Sequence, residues 1–510
     1  MTSMDRQTPP NATRRAFLAN SVVASSAILA ASNSWWGSHA LAATDQKNAK
    51  SAVEITVTRQ PLVRCRLELE VKGNVKVPTD PLQSQEAKTT LPVNSTASLD
   101  YEERLLMPAQ IADHSEVVAA ERYYHTATNS SVLNKTTVEQ KLREEMRHVV
   151  VRRDVLPEVV YSPENYFNHD ELSLLKLPIS SVAVDRLLPS GKVLKDDRYE
   201  IDLAALCSVL NMTTIEKGKV ECVVSEIDDE GVRFQIEGDV EGSVDGVSTR
   251  MRLLGKMTYD RSIKACTWLA LALHETREIS KAEPGFDILA KVRLLRRPLD
   301  QPVRLPAVAA TVDFDSPPPE DRLFVELQSQ HANAAVMMDR RWRMISDDPG
   351  RCVMRMIDHD SSIAQCDLRK LVNLPAGKHL TLEAFEADVR RSLGDQLVQL
   401  VEADQGLSAQ DLRVMRIVAD GQAQGVQVRW IMLHFSNDAG NRVQATFTMS
   451  GQQVDAFAGC DAQFGDTLRF LAPDSVPAES EPASESALTK NGQANPTVAE
   501  KETRSASDLK

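Results

Sequence analysis

Apolar and polar residues alternate with a period of two along much of the first half of this chain. Val53-Glu54-Ile55-Thr56-Val57-Thr58 and Cys65-Arg66-Leu67-Glu68-Leu69-Glu70-Val71 both do so, which predicts strands with one buried face. Further strands are expected at 220–225 and 232–236, around the polar loop Asp228-Asp229-Glu230-Gly231. The stretch 240–244 meets the next strand through Asp245-Gly246, a pair suited to a two-residue turn because both positions need positive φ. Gly255-Lys256-Met257-Thr258-Tyr259 and the stretch 266–275 continue the meander. A helix is predicted over 199–210, with Leu203, Leu206 and Leu210 on one face, whereas 78–98 reads as a long loop. Residues 43–297 are therefore expected to form a strongly curved antiparallel sheet with few helices.

The pattern changes at 298–319, a segment with six prolines including Pro317-Pro318-Pro319, expected to act as a semi-rigid linker. Beyond it, 320–472 mixes both periods and is expected to fold on its own. Strands at 352–357 and 363–368 flank Asp358-His359-Asp360. A turn centred on His359 would set Cys352 directly opposite Cys366, at the separation a disulfide needs. A helix from Thr381 carries Leu382, Phe385, Val389 and Leu393 on one face and stops at Gly394. A strand at 412–418 and a long hairpin, 426–435 with 443–449, follow. A final helix over 454–470 turns Phe457, Phe464 and Leu468 inward. The fold class is α+β.

The two ends have a different composition. Thr13-Arg14-Arg15-Ala16-Phe17-Leu18 precedes a weakly apolar run, 22–31, and the small-residue site Ala40-Leu41-Ala42. That order is a removable export signal and too short to span a membrane. With Arg14, Arg15, Phe17 and Leu18 it resembles a twin-arginine signal, apart from Ala19 where lysine is usual, and this implies export to the periplasm. The mature chain is expected to begin near Ala43, with no transmembrane segment. At the other end, 473–510 holds almost only small, polar and charged residues and is expected to stay disordered. Acidic residues number 72 against 59 basic ones, with no basic cluster, which argues against nucleic acid as a partner. Seven scattered cysteines leave at least one unpaired and form no CxxC or zinc spacing.

Two resemblances follow. The long strands, Gly-rich turns and Gly285-Phe286-Asp287 of the first region look like the half-barrel sheets of bacterial envelope lipoproteins and lipoprotein carriers. In 320–472, Trp342 ends an opening strand pair, the Phe385 helix rides over the sheet, Trp430 lies on a long strand, and Leu468-Arg469-Phe470 closes the order. That order resembles the PsbP-like family. The resemblance implies a helix–sheet–helix sandwich used for binding or assembly, with no common reaction.

Chemistry is sparse. No GxSxG, HExxH, GxGxxG or EF-hand loop occurs. Pro189-Ser190-Gly191-Lys192 lacks the first glycine and the closing hydroxyl of a phosphate loop and reads as a surface turn. The side chains of Asp358-His359-Asp360 point alternately and do not converge on a metal. His434 is expected to be a hydrogen-bonded sheet histidine, and His169-Asp170-Glu171 to lie in a loop. Glu144-Glu145 and Asp196-Asp197 read as solvated faces, and Trp342 and Trp430 as core anchors. No catalytic residue, metal ligand or cofactor is assigned. The expectation is an exported, non-catalytic envelope protein acting as a binding or assembly module, with another envelope protein or a small apolar ligand as partner. A carrier of an apolar or lipid ligand on the concave side of the first sheet is the alternative, and an enzyme without a recognisable motif is a third. A carrier would leave Val, Leu and Met side chains facing an open cavity.

Overall fold

The computed structural model describes residues 52–77, 90–107, 118–279, 284–358 and 361–471. It is an α+β fold dominated by antiparallel sheets with a few short helices. In chain order the first strands are β1 (Val53–Ile55), β2 (Leu62–Lys76), β3 (Thr90–Leu106), β4 (Ala119–Leu133), β5 (Thr136–Lys141), β6 (His148–Arg152) and β7 (Val159–Tyr161). Helix α1 (His169–Leu175), β8 (Gly191–Val193), β9 (Arg198–Glu200) and α2 (Leu203–Val209) come next. The long strands β10 (Thr214–Ile227), β11 (Gly231–Val244), β12 (Val247–Asp260), β13 (Ala265–Arg277) and β14 (Gly285–Pro298) complete the region. One twelve-stranded sheet runs β7-β6-β4-β3-β2-β14-β13-β12-β11-β10-β9, with β5 paired to β4, while β1 and β8 pair separately. β14, last in sequence, lies between β2 and β13.

Alternation decides which face is sealed. Leu67, Leu69 and Val71 of β2, Leu269, Leu271 and Leu273 of β13, and Val220, Cys222 and Val224 of β10 all lie in one buried cluster. Ile179, Val184, Leu206 and Val209, from the segment between β7 and β10, belong to the same cluster and fill that side. A buried polar network ties this plug to the sheet. Arg122 donates to Glu103 at 2.8 Å and to Glu158 at 2.9 Å, and Ser180 and Ser181 donate to the same two carboxylates. Asp245 and Gly246 make the β11–β12 turn with φ of 51° and 80°. At Gly238 a Cβ would sit 2.1 Å from the Lys219 carbonyl oxygen, so only glycine lets β10 and β11 approach this closely.

Three expectations from the sequence do not hold in the first region. The second half of the expected long loop is the start of β3. Of its buried positions Val93, Ser95 and Ala97, only Val93 is a large apolar residue, so the alternation is hidden. The predicted 199–210 helix begins only at Leu203, because Asp202 caps it through Ala205 N–H while Tyr199 pairs with Cys222. His169-Asp170-Glu171 is not a loop but the first turn of α1, closed by a reciprocal capping box between Asn168 and Glu171.

Segment 299–319 lies along the sheet as a strap. The N–H groups of Val303, Arg304 and Leu305 all donate to the Glu102 carboxylate. Ala310 N–H donates to Glu121, and Arg152 donates to the Asp313 and Ser316 carbonyls. Ala310, Val312 and Phe314 pack on Leu106, Ala119, Val150 and Tyr161.

The remaining strands are β15 (Phe324–Ser329), β16 (Ala334–Asp339), β17 (Trp342–Asp348), β18 (Arg351–Asp358), β19 (Ser361–Lys370), β20 (Leu397–Leu407), β21 (Arg413–Ala423), β22 (Val426–Ser436), β23 (Arg442–Ser450) and β24 (Arg469–Phe470). Seven of these form a sheet in the order β17-β18-β19-β23-β22-β21-β20, and β15-β16-β24 form another. Helix α3 (Leu382–Leu393) buries Phe385, Val389 and Leu393 as expected, is capped by Thr381 and ends at Gly394 with φ 51°. The expected single closing helix is instead two, α4 (Val454–Phe457) and α5 (Cys460–Thr467), because Ala458 and Gly459 adopt left-handed φ between them. Phe457, Phe464 and Leu468 are buried nonetheless. Contacts cross between the two regions: Phe167 bridges to Val325, and the His169 ring hydrogen-bonds the Trp342 carbonyl.

Candidate functional site

The face of the large sheet opposite the plug is covered over β3, β4 and β6 by the strap and is open over β2 and β14 to β10. There the sheet curls into a groove of about 990 Å³. The strand registers assemble it in rows. One row runs Glu237, Leu254, Ala272, Lys291, Glu70 across five strands, and the next runs Gln235, Lys256, Ala270, Arg293, Glu68. A third row places Trp268 beside Thr258 and Leu295. The centre of the groove is therefore small and apolar, and its rims are charged.

Alternation on β13 explains the floor. Leu269, Leu271 and Leu273 point into the sealed core, so Trp268, Ala270 and Ala272 are left on the open face. Of the three described tryptophans only Trp268 is half-buried; Trp342 and Trp430 are 0% and 6% exposed. Ala270 and Ala272 make the floor deep, since longer side chains on β12, β14 and β2 rise on both sides. The groove lining has five acidic and five basic side chains. Arg293 donates to Glu68 at 2.7 Å, and Lys219 donates to Glu221 at 2.9 Å. The Lys219 hydrogen bond holds the Glu221 carboxyl below its usual range, and Glu221 in turn raises Lys219. Such a surface offers hydrogen-bond donors and acceptors around an apolar strip. It contains no nucleophile–base pair, and no group of three His, Cys, Asp or Glu able to hold a metal occurs among the described residues.

The sequence had one signal for this site. Trp268-Leu269-Ala270-Leu271-Ala272-Leu273 is apolar on both faces inside an otherwise alternating sheet.

The residues singled out from sequence lie elsewhere. Arg14, Arg15, Phe17, Leu18, His359, Asp360 and the tail 473–510 fall outside the described residues. Cys352 and Cys366 are not directly opposed: Cys352 pairs with Leu368 and Cys366 with Met354. The strands close on Asp358 and Ser361, and a bulge after Met356 shifts the register further. Both thiols are free, buried and on the same face. His434 is not hydrogen-bonded as expected. It is 1% exposed under Phe385, and neither ring nitrogen has a partner. Burial, helped by Arg442, pushes it down to about 4. Gly191 and Lys192 belong to the short β8, and no helix follows them to hold a phosphate.

No family model and no curated protein matches this chain. Among solved structures there is a weak likeness to the cyanobacterial PsbP of Synechocystis, 13% identical over 29% of this chain and 92% of that one, with a TM-score of 0.24. A Bacteroides thetaiotaomicron protein is 12% identical over 29% of this chain and spans 48% of its own length, with a TM-score of 0.22. Lipovitellin, in a structure of its lipid–protein interactions, is 8% identical over 50% of this chain and 27% of that one, with a TM-score of 0.27. At these scores the likenesses assign neither family nor ligand. No helix among the described residues is long and apolar enough to cross a membrane.

Proposed function

We propose that this chain is an exported, non-catalytic binding module. Its first region is a half-barrel whose open face takes a ligand, and 320–471 is a PsbP-like sandwich attached to it. The observation that carries the reading is the groove of about 990 Å³, at the upper end of the roughly 300–1,000 Å³ of small-molecule sites. An ordinary solvated sheet face has no reason to hold a half-buried tryptophan and two alanines beneath charged rims.

The apolar-carrier reading moves to this groove. The Val, Leu and Met face that was to hold such a ligand is packed by the plug, whereas Leu254, Trp268, Ala270 and Ala272 form an apolar strip on the other side. Native mass spectrometry of protein isolated from its export compartment tests for a ligand. A retained small molecule that disappears in Ala272→Arg is expected, and a small molecule retained equally by both proteins would end the groove reading. Export itself is tested by Arg14→Lys with Arg15→Lys. The double variant should stay in the cytoplasm, and undiminished export would reject the twin-arginine assignment.

A further inference from the structure

Resting on that binding role, the chemistry of the rims narrows the ligand. We propose that the groove binds an uncharged, hydroxyl-rich chain, an oligosaccharide, lying along β13 with one sugar ring stacked on Trp268.

Charge balance is the first argument. Five acidic and five basic side chains line the groove. A polyanion would meet Glu68, Glu70, Glu221 and Glu237, and a polycation would meet Lys219, Lys256, Lys291 and Arg293, so either suffers repulsion comparable to its attraction. An acyl chain would press against both rims without satisfying a single donor or acceptor left over from the ion pairs, and withdrawing such groups from water without new partners is unfavourable. Hydroxyl groups donate and accept alike and suit rims of either sign. The ion pairs need not open to bind them. Guanidinium has five N–H groups, ammonium three, and a carboxylate about four acceptor sites, so Arg293–Glu68 and Lys219–Glu221 keep capacity after pairing with each other.

The floor supplies the other half of such recognition. A sugar ring has apolar C–H faces and polar edges, and Trp268 offers a flat apolar surface at the level where Ala270 and Ala272 leave room. Along β13, Trp268, Ala270 and Ala272 keep the floor apolar from one row to the next, and Lys291 and Arg293 of β14 repeat a basic side chain beside it. A repeated arrangement along the strand suits a repeating chain better than a compact molecule.

Isothermal titration calorimetry of the mature full-length protein decides the question. The probes are hexamers of α-1,4-linked glucose, β-1,4-linked glucose and β-1,4-linked N-acetylglucosamine, with palmitate alongside. At least one saccharide should bind saturably. Trp268→Ala should weaken it about tenfold, the scale of one lost aromatic contact, and Ala270→Arg should abolish it. Both variants should keep the wild-type melting temperature, because these side chains lie outside the sealed core. Saccharide binding that survives Ala270→Arg, or no binding by any of the three hexamers, overturns the proposal. Palmitate binding alone, lost in Ala270→Arg, would overturn it while leaving the groove as a ligand site. Silence from all four probes and an empty wild-type mass spectrum would remove the binding role itself.

Discussion

His434 is neutral in the fold and would be charged first in the unfolded chain. Its folded value is about 4, against about 6.5 for a free histidine. Between those values the unfolded state binds more protons, so stability falls as pH drops from about 6.5 toward 4 and is unaffected above. The expected loss between pH 7.5 and pH 5 is about 2 kcal/mol. His434→Leu should remove that slope, and it should also stabilise the protein at pH 7.5, since no ring nitrogen is then left without a partner. Urea titrations at both pH values measure this, and an unchanged slope in the variant would assign it to other groups. The cysteines have a different fate from the one their spacing suggests. A diagonal pair on neighbouring strands sits roughly 7–8 Å apart, beyond the roughly 4.4–6.8 Å of a disulfide. Burial, chiefly, also raises Cys352 to about 12 and drives Cys366 upward as well, so little thiolate forms. Peptide mapping after alkylation in denaturant should recover Cys352 and Cys366 both modified. A linked peptide would show that the strands shift in solution.

Among the elements, the strap depends most visibly on one side chain. Burial pushes the Glu102 carboxyl up, but the N–H groups of Arg304 and Val303, with His125 and Leu305, outweigh this and hold it below its usual range. A carboxylate with a lowered value contributes stability above its unfolded value of about 4.3, lost as pH falls through the folded value. Glu102→Gln should cost about 1–3 kcal/mol, expose 299–319 to proteases and abolish the acid-dependent part. Limited proteolysis at neutral pH provides the check; a strap that resists cleavage in the variant would mean its apolar contacts suffice. Much of the element order was legible because burial is one-sided. β2, β12 and β23 alternate, and α3 has its cap, its stripe and its glycine stop. β20 was not legible. Leu397, Leu400 and Val401 carry a helical spacing, two bulges interrupt its pairing with β21, and almost no position on it is buried. Those bulges, with Glu402 and Asp404, also protect an exposed sheet edge from pairing with other chains. The strap read as a spacer because prolines indicate extension and say nothing about what the extended chain lies on. The groove was missed for a similar reason: Ala270 and Ala272 acquire meaning only beside the charged rows of strands far away in sequence.

Across the whole molecule, the expected division at 298–319 is crossed by several contacts. Phe167 bridges to Val325, Glu326 N–H donates to the Phe167 carbonyl, and one buried cluster includes Leu172 together with Val325 and Trp342. We therefore expect one unfolding transition in differential scanning calorimetry. Two resolved transitions would mean that 320–471 melts by itself. The position of β14 has another consequence, for the order of synthesis. Its ion pair Arg293–Glu68 joins residues 225 apart in sequence, and without it β2 and β13 have no neighbour in common. On the ribosome the large sheet must wait as two unjoined halves until residues 285–298 emerge. Pairings this distant in sequence form slowly, and edges left open meanwhile invite association with other chains. An export system that accepts only finished proteins would find this one incomplete until more than half of it had been made.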